Sequence, residues 1–410
     1  MSACLWYISK YTAVPSARKG STRPFLLLRE MAQRGNRCVL FTSDSNHLTN
    51  PPKVDGPYLR QSIDGVEVCW VRTMKFAGAG SVKRTLSWFD FEWRLWRVPK
   101  SSFPRPDAVI VSIPSLLTIF NGLWLRWRYG CRLIYEVRDV WPLTIVEEGG
   151  YSRYNPFIVF LRATELLAYR CADEIVGTMP NLVQHVDASL RGHAPVECIP
   201  FGVHPDMFEH VAPVPEEWIA RFVPKNKFIV CHAGTIGTSN GLDTLVDCAR
   251  AMRDCPDIHF LVVGEGGLQG RYERECADLP NITFTGPVPK DMVQSVLRLC
   301  DLLYYSVTPS KLWDFGLSLN KIIDYMLAGK PITASYTGYP SMVEEAGAGT
   351  SVPAGDPVAL KDEILRLKAA GGDTLRAMGE RGRGWLLARR GYDTLAQRYL
   401  ELALPGRDAR

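Results

Sequence analysis

The chain has 410 residues, of which 46% are hydrophobic and 22% are charged, and both values are typical of globular proteins. This composition excludes a disordered chain, a collagen-like chain and a polytopic membrane protein, and the length predicts about two to four domains. Eleven cysteines are scattered without a CxxC pair. They therefore indicate neither a disulfide framework nor a zinc ribbon, and they favour a reducing cytoplasm.

The net charge of +5 is unevenly distributed along the chain. Residues 1–150 carry 21 lysines and arginines against 12 aspartates and glutamates, which leaves the remainder slightly acidic. A basic N-terminal part is typical of proteins that meet anionic lipid, nucleic acid or phosphorylated substrates, although an ordinary solvated surface explains it equally well.

The first half of the chain alternates between strand and helix patterns. The apolar run CLWYIS predicts a buried parallel strand, and STRPFLLLREMAQRG predicts a helix with Pro24 in its first turn and Gly35 just beyond its end. No signal peptide is expected at the N-terminus. Further strands are predicted at RCVLFTSD, VEVCWVR, AVIVSI, CRLIYEV and EIVGTM.

One uncharged segment, residues 108–125, has the minimum length of a membrane-spanning helix. It contains Pro114 and several polar residues. The pattern favours a strand over AVIVSI, a turn at Pro114 and a helix from Ser115, with a membrane span as the weaker alternative.

The alternation pauses in a proline- and glycine-rich stretch, VECIPFGVHPDMF, and then starts again. Strands are predicted at KFIVCHAG, HFLVVGEG, ITFTG, LLYYSV and PITAS, with helices at GLDTLVDCARAM, PKDMVQSVLRLC and NKIIDYMLAGK, and two or three helices after Pro357. The fold class is thus α/β with two doubly wound parallel sheets. We expect domains at residues 1–200 and 201–385, and a helix in 386–410 that packs back toward the first domain.

Glycines and small polar residues follow three strands of the second domain. Such strand ends allow close approach of the backbone to a ligand and expose amides that favour phosphate, although a single glycine turn is usually plain turn geometry. The candidate ligand-binding residues are Gly234, Thr235, Gly237, Gly264, Glu265, Gly266 and Val288.

A fourth candidate segment is the helix start SLNKIIDYMLAGKPI. Lys321 opposes the helix dipole at this position, and a bound diphosphate would explain it. Asp324 lies one turn after Asn320 on about the same face and is suited to accept hydrogen bonds from ribose hydroxyls. The alternative is that Asp324 only complements the helix dipole or forms a surface salt bridge.

These segments, taken in order, resemble a known family. AGTIGTSNGLDTL, LVVGEGG, ITFTGPVP and NKIIDYMLAGKPI are similar to the nucleotide-sugar domain of retaining family 4 glycosyltransferases, in the bacterial O-antigen and capsule branch. VRDVWP, GSTRPFLLLREMAQRG and GAGTSVPAGDPVALKDEI resemble other parts of that family, whereas residues 45–105 match little. The resemblance implies a GT-B fold, in which two Rossmann-like domains face each other across a cleft.

The resemblance also assigns roles to individual residues. Asp324 falls at the second acidic position of the family's E-x7-E motif, and Gly316 occupies the first. The Arg and Lys of the family's first loop are replaced by Thr235 and Asn240. Lys321 is therefore the expected replacement cation, with Lys311 second, and the S-x-N-K pattern resembles transferases of acetamido sugars.

Candidate residues in the first domain follow two predicted elements. Gly20, Ser21 and Thr22 precede a helix and would direct amides at donor phosphates, with Arg23 adding charge, although an ordinary helix cap explains them too. Arg138 and Asp139 follow the strand CRLIYEV. Asp139 is the candidate base or orienting group for the acceptor hydroxyl and Arg138 the candidate acceptor-phosphate ligand, and a local ion pair is the alternative.

Aromatic and basic residues alternate over residues 83–128. This pattern suits an interfacial helix on anionic lipid, and a core-packing helix and single-stranded nucleic acid are the alternatives. The residues concerned are Lys83, Arg84, Trp88, Phe89, Phe91, Trp93, Arg94, Trp96, Arg97, Lys100, Trp124, Arg126, Trp127 and Arg128.

Together these features predict a glycosyltransferase that moves an N-acetylated amino sugar, such as N-acetylfucosamine or N-acetylglucosamine, from a UDP-sugar to an undecaprenyl-diphosphate-linked glycan. The expected location is the cytoplasmic face of the plasma membrane, with no nucleic-acid partner. No DxD motif or metal-spaced cluster is present in the sequence, so no metal or other cofactor is expected. The alternatives are a UDP-sugar 2-epimerase of the same fold and a non-catalytic sugar-nucleotide binding protein.

Overall fold

A computed structural model describes residues 2–14, 23–46, 51–76, 82–209 and 211–406. The strands within this part of the chain are β1 Cys4–Ile8, β2 Arg37–Ser43, β3 Tyr58–Ile63, β4 Val66–Val71, β5 Ala108–Ser112, β6 Arg132–Val137, β7 Glu174–Gly177, β8 Val196–Cys198, β9 Phe228–Ala233, β10 Ile258–Val263, β11 Ile282–Gly286, β12 Leu302–Ser306, β13 Ile332–Ser335 and β14 Gly349–Val352.

The helices over the same described ranges are α1 Arg23–Gln33, α2 Val82–Arg97, α3 Thr118–Tyr129, α4 Leu143–Glu147, α5 Pro156–Cys171, α6 Leu182–Ser189, α7 Asp206–Glu209, α8 Glu216–Phe222, α9 Asp243–Ala251, α10 Gln269–Glu275, α11 Val293–Leu299, α12 Asn320–Ala328, α13 Met342–Glu345, α14 Pro357–Ala369, α15 Gly372–Arg389 and α16 Tyr392–Ala403. The chain divides into two compact units, residues 1–202 with 392–410 and residues 203–391.

The first unit is built on one sheet with the strand order β3-β4-β2-β1-β5-β6-β7-β8. All neighbouring strands are parallel except β3, which runs antiparallel to β4. All five residues of β1 are buried, as expected for a central parallel strand that is covered on both faces. Residues of α16, such as Leu395 and Tyr399, join the same hydrophobic core as α1 and β1, so the last helix belongs to this unit.

The β3–β4 hairpin is an element that the sequence interpretation missed. Its turn consists of Asp64 and Gly65, both with positive φ, at 46° and 80°. An Asp-Gly pair is among the strongest local signals for a two-residue hairpin turn, so the signal was present in the sequence. The edge position of β3 explains why its apolar pattern is weak, because several of its side chains remain exposed.

The uncharged segment of residues 108–125 forms a strand and a helix, as the pattern favoured. The strand is β5, and the helix is α3, which begins at Thr118 rather than Ser115. In the described residues, no helix is long and apolar enough to cross a membrane.

The second unit contains a parallel sheet with the strand order β11-β10-β9-β12-β13-β14. The chain order reverses between β9 and β12, so the connections that leave these two strands run in opposite directions along the sheet. In open α/β sheets this switch point at the carboxyl ends of the strands is where ligands bind.

Candidate active site

A pocket of about 300 Å³ lies in the second unit, at the carboxyl ends of β9, β10 and β11 and beside the start of α12. Glycines, small residues and three charged side chains, one basic and two acidic, surround it. The pocket is lined by Ala233, Gly234, Thr235, Val263, Gly264, Glu265, Pro287, Val288, Val293, Lys321, Asp324 and Tyr325.

Two of the glycines that follow these strands are required by backbone packing. A methyl group on Gly264 would lie 1.9 Å from the carbonyl oxygen of Gly234, and one on Gly266 would lie 2.2 Å from the carbonyl oxygen of Ile236. The backbone amide of Ile236 also donates to the carbonyl oxygen of Glu265 at 2.9 Å. The two loops therefore run in direct contact, and this contact by itself demands glycine at both positions.

Lys321 projects from the first turn of α12 into the pocket. Its ammonium group donates to the side-chain oxygen of Asn240, and it lies near Gly234, where a methyl group would be 3.6 Å from Nζ. Burial lowers the pKa of Lys321 to about 8. The group is thus a partly desolvated cation at the pocket wall, suited to bind an anion such as a phosphate.

Asp324 lies one turn later on α12 and also faces the pocket. Burial raises the pKa of this carboxyl to about 6, and the nearby charge of Lys290 opposes that rise. At neutral pH the carboxylate is mostly ionised and can accept hydrogen bonds from hydroxyl groups of a ligand. Lys290 is a neighbour that the sequence interpretation did not name.

Tyr325 is a pocket residue that the sequence reasoning missed. Its hydroxyl accepts a hydrogen bond from the amide of Ala233 at 2.7 Å and lies 3.0 Å and 3.1 Å from the carbonyl oxygens of Ala233 and Tyr304. It thereby fixes α12 to the end of β9. The only sequence signal was its place beside Asp324, because an aromatic residue on an apolar helix face is usually interpreted as core.

The other candidate donor-site residues lie in different places. Thr235, Glu265 and Val288 line the pocket, whereas Gly237, Gly266 and Asn320 do not. Lys311, the second candidate cation, is exposed at the start of a 3₁₀ helix and does not line the pocket. Gly20, Ser21 and Thr22 lie outside the described residues.

Arg138 and Asp139 follow β6 in the first unit, as the pattern predicted. The guanidinium of Arg138 lies over the ring of Phe201 at 5.8 Å. The side chain of Asp139 is exposed on one side, and the protein atoms packed around its other sides raise the pKa of the carboxyl. The charges of Arg138 and Arg84 oppose that rise. Both residues lie just beyond the carboxyl end of β6, and their roles stay a prediction.

Arg23, in contrast, is not available to a ligand. Its guanidinium is 1% exposed, is paired with the carboxylate of Glu136, and donates to the carbonyl oxygen of Ile199 at 2.5 Å. The expectation that Arg23 adds charge at the donor phosphates is therefore wrong, because a buried carboxylate already holds it. Glu136 was missed because it sits within an apolar strand.

Glu136 is the centre of a buried polar network. Besides Arg23, it accepts hydrogen bonds from the hydroxyls of Tyr7, Ser112 and Tyr399. Burial alone would favour the neutral acid, but Arg23 and Arg138 outweigh it and lower the pKa of Glu136 to about 2. The network thus joins α1, β1, β5, β6 and α16 around one ion pair.

The aromatic-basic segment is only partly on the surface. Trp88, Phe91 and Lys100 are buried, so for these residues the core-packing alternative holds and they are not placed to contact lipid. The opposite face of α2 exposes a stripe, defined as Leu86, Phe89, Trp93 and Trp96, whose side chains are 50%, 45%, 56% and 49% exposed. Helical spacing produces this division, since the stripe positions recur every three or four residues.

In the described part of the chain, no group of three or more His, Cys, Asp or Glu side chains is placed to hold a metal ion.

Two family models match this chain. Residues 21–202 match the model described as a glycosyl transferase 4-like domain, and residues 227–369 match the one described as glycosyl transferases group 1. The chain belongs to the glycosyltransferases. The match to the group 1 model contains the whole pocket, with Lys321 and Asp324, and the match to the other model contains Arg138 and Asp139.

This glycosyltransferase is similar to several curated proteins over part of its length. It is 26% identical to the probable glycosyltransferase WbjE of Pseudomonas aeruginosa, over 68% of the chain and 71% of that protein. It is 32% identical to the putative colanic acid biosynthesis glycosyl transferase WcaI of Escherichia coli, over 51% of the chain and 54% of that protein. A GDP-mannose-dependent phosphatidylinositol monomannoside mannosyltransferase of Mycobacterium tuberculosis is 26% identical over 53% of the chain and 57% of that protein.

Solved structures match the fold over nearly the whole chain. A trehalose-6-phosphate protein of Escherichia coli bound to UDP-2-fluoro glucose has a TM-score of 0.73 at 12% identity, with 98% of this chain covered. WaaG, a glycosyltransferase involved in lipopolysaccharide biosynthesis, has a TM-score of 0.65 at 13% identity, with 98% of this chain and 100% of that one covered. The fold of this glycosyltransferase is GT-B, as the sequence resemblance implied.

Proposed function

We propose that this glycosyltransferase moves a sugar from a UDP-sugar to a lipid-linked acceptor in bacterial surface polysaccharide assembly, with retention of configuration and without a metal ion. The main support for this proposal is the pocket in which Lys321 and Asp324 face the carboxyl ends of three parallel strands. A cation for the diphosphate and a carboxylate for the ribose are the groups that a nucleotide-sugar needs.

In the proposed reaction, the bond between the anomeric carbon and the β-phosphate oxygen breaks, and its electron pair stays on the phosphate. Lys321 and the backbone amides of the glycine loops stabilise the negative charge that develops there. The acceptor oxygen forms the new bond to the anomeric carbon from the same face, and its proton passes to the departing phosphate. Asp139 orients the acceptor hydroxyl, and Arg138 binds an acceptor phosphate.

The names of the relatives support the setting of the reaction. WcaI is named for colanic acid biosynthesis, and WaaG is described as involved in lipopolysaccharide biosynthesis. The UDP-2-fluoro glucose in one matching structure supports a uridine nucleotide as donor. The proposed sugar is an N-acetylated amino sugar such as N-acetylfucosamine or N-acetylglucosamine, on the strength of the S-x-N-K pattern, and the proposed acceptor is an undecaprenyl-diphosphate-linked glycan.

We further propose that the stripe on α2 rests on the anionic inner face of the plasma membrane. Lys83, Arg94 and Arg97 are exposed on the same helix, so positive charge accompanies the apolar side chains. Phe160 of α5 extends the apolar surface, since its ring stacks on Phe89 with 6.4 Å between the ring centres. Interfacial tryptophans with neighbouring arginines suit an anionic lipid surface, where a lipid-linked acceptor would be found.

A calorimetric screen tests the donor. UDP, GDP, UDP-N-acetylglucosamine, UDP-N-acetylgalactosamine and UDP-N-acetylfucosamine are titrated with and without EDTA. Binding of UDP and of one UDP-acetamido sugar, unaffected by EDTA, supports the proposal, and NMR of the product then gives the anomeric configuration. Preference for GDP would refute the uridine donor, and release of a free epimerised sugar without an acceptor would support an epimerase instead.

Vesicle flotation tests the membrane surface. Phosphatidylglycerol vesicles should carry the wild-type protein upward, and the triple variant Phe89→Ser, Trp93→Ser, Trp96→Ser should stay behind. The matched control is Leu365→Ser with Leu387→Ser, since these two side chains are 38% and 41% exposed in the second unit. If the triple variant floats like the wild type, the stripe is not the membrane contact.

A further inference from the structure

The half-buried ammonium group of Lys321 contacts Asn240, a residue for which the sequence resemblance predicted only the loss of a cation. Asn240 lies at the end of a 3₁₀ turn, Thr238–Asn240, and its side-chain oxygen accepts a hydrogen bond from Lys321. Asn240 does not line the pocket itself. Asn240 therefore acts on a ligand only through the pocket residues that it contacts, Lys321 and Thr235.

Asn240 is in turn fixed from two sides. The side-chain NH₂ of Asn240 donates to the carbonyl oxygen of Thr235 at 2.8 Å. The hydroxyl of Ser306 donates to the backbone carbonyl oxygen of Asn240 at 2.5 Å. Gly241 follows with a φ of 52°, and a methyl group there would lie 3.1 Å from the amide of Thr308. The side-chain amide is thus oriented with its oxygen toward Lys321.

Among the pocket-lining residues that the structure describes, Lys321 is the one cation. His232 is fully buried behind Gly234, and burial together with the charge of Lys321 lowers its pKa well below the usual value, so it is neutral at pH 7. A methyl group placed on Gly234 would lie 3.8 Å from Nε2 of His232 and 3.6 Å from Nζ of Lys321, so both side chains lie close to Gly234. The position of the Lys321 ammonium group therefore influences where an anion binds in this pocket.

We infer that Asn240 is a positioning residue that holds the ammonium group of Lys321 toward the diphosphate of the nucleotide-sugar and stabilises its charged form. This inference rests on the proposed donor site, and it adds a residue outside the pocket to the binding machinery. The asparagine oxygen supports the cation without neutralising it, as a carboxylate would.

Two substitutions at this residue have opposite expected effects on Lys321. Asn240→Leu removes the acceptor, so the charged lysine is less stable and loses its proton at lower pH. Asn240→Asp places a negative charge beside it, so the lysine keeps its proton to higher pH. The other titratable groups that face Lys321 are His232 from β9, Glu265 from the β10 loop, and Asp324 and Tyr325 from α12, and none of them is changed.

The experiment measures UDP affinity by calorimetry from pH 7 to pH 9.5 in wild type, both variants and the control Thr238→Ala, which is exposed in the same turn. Wild-type affinity should fall through about pH 8, where Lys321 titrates. The midpoint of this fall should move down in Asn240→Leu and up in Asn240→Asp, while both variants bind UDP roughly tenfold more weakly at pH 7. Ionisation of UDP itself is the same for all four proteins, so it does not affect the comparison.

Unchanged midpoints in both variants would overturn the inference, because a merely structural defect lowers affinity without moving the midpoint in opposite directions. An NMR titration of the Lys321 side chain in ligand-free protein, assigned with Lys321→Arg, separates this failure from failure of the proposed function. If UDP does not bind but the lysine still titrates in the order Leu, wild type, Asp, the positioning contact stands and the uridine donor is wrong. If the order is absent, Asn240 does not act on Lys321.

Discussion

Replacement of Asp324 by Asn should make the second unit more stable and its ligand binding weaker. In the folded protein the pKa of this carboxyl is raised from 3.8 to about 6, chiefly by burial. The protonated group therefore stabilises the fold below the unfolded-state pKa, and that contribution is lost as the pH rises through about 6. Above that pH the wild-type protein maintains a partly buried charge that asparagine does not carry.

The magnitude follows from the change in pKa. The difference between 3.8 and about 6 corresponds to at most about 3 kcal/mol. Because the side chain keeps some contact with water, we expect a gain of about 1–3 kcal/mol for Asp324→Asn at pH 8 and almost none at pH 4. For a unit of this size, that gain raises the melting temperature by about 2–12 °C.

Binding should change in the opposite direction. Loss of a hydrogen bond from a ribose hydroxyl to a charged acceptor costs about 1.5–3 kcal/mol, so UDP affinity should fall by about 10- to 100-fold at pH 8. The deficit relative to wild type should shrink as the pH falls through 6, because the wild-type carboxyl then becomes protonated.

Differential scanning calorimetry and titration with UDP at pH 4.5, 6 and 8 measure both effects. Asp291→Asn is the control, because Asp291 is exposed in the same unit and does not line the pocket. Unchanged UDP affinity in Asp324→Asn would remove this carboxylate from the site, and an unchanged melting temperature at pH 8 would refute the stability argument.

Three further substitutions probe the other groups. Glu136→Gln leaves Arg23 buried without a carboxylate, so the first unit should lose about 3–5 kcal/mol of stability at pH 7, measured by thermal unfolding. Because Arg23 and Arg138, against burial, lower the pKa of Glu136 from 4.5 to about 2, the wild-type advantage should be present above pH 4.5 and lost as the pH falls toward 2. Asp139→Asn should lower turnover by about 10²-fold, because the acceptor hydroxyl is no longer oriented, and leave UDP affinity unchanged, measured by product formation and calorimetry. Lys321→Met should weaken UDP binding by at least about tenfold and abolish the fall in affinity near pH 8.

Matched controls keep these outcomes distinct. Glu147→Gln changes an exposed carboxylate of the first unit, and Lys225→Met changes an exposed lysine of the second. Each control should behave like wild type. A melting temperature unchanged by Glu136→Gln would contradict the ion-pair argument, and a loss of UDP affinity in Asp139→Asn would place that residue at the donor instead of the acceptor. UDP binding that persists at wild-type strength in Lys321→Met would exclude this cation from the site.

The fold class and most of the strands follow from the pattern of apolar residues along the chain. Runs such as CLWYIS and HFLVVGEG form strands because central parallel strands are buried on both faces and are therefore continuously apolar. Edge strands lack that pattern, so the sequence analysis did not predict β3. The Asp64-Gly65 pair is nevertheless a sequence signal for the turn of this hairpin. Glycines after strands also predicted the place of the pocket, since the carboxyl ends of parallel strands meet at one edge of the sheet.

Which polar residues share a site depends on the packing of the elements in three dimensions. Arg23 and Glu136 are 113 residues apart, and nothing local tells a buried ion pair from a ligand-binding arginine. The contact between Lys321 and Asn240 spans 81 residues and depends on how α12 meets the loop after β9. The stripe on α2 likewise depends on the packing of the helix, which buries Trp88 and Phe91 and leaves the opposite face exposed. Sequence periodicity reports which faces of an element are apolar, whereas pairing between distant side chains depends on the three-dimensional arrangement of the elements.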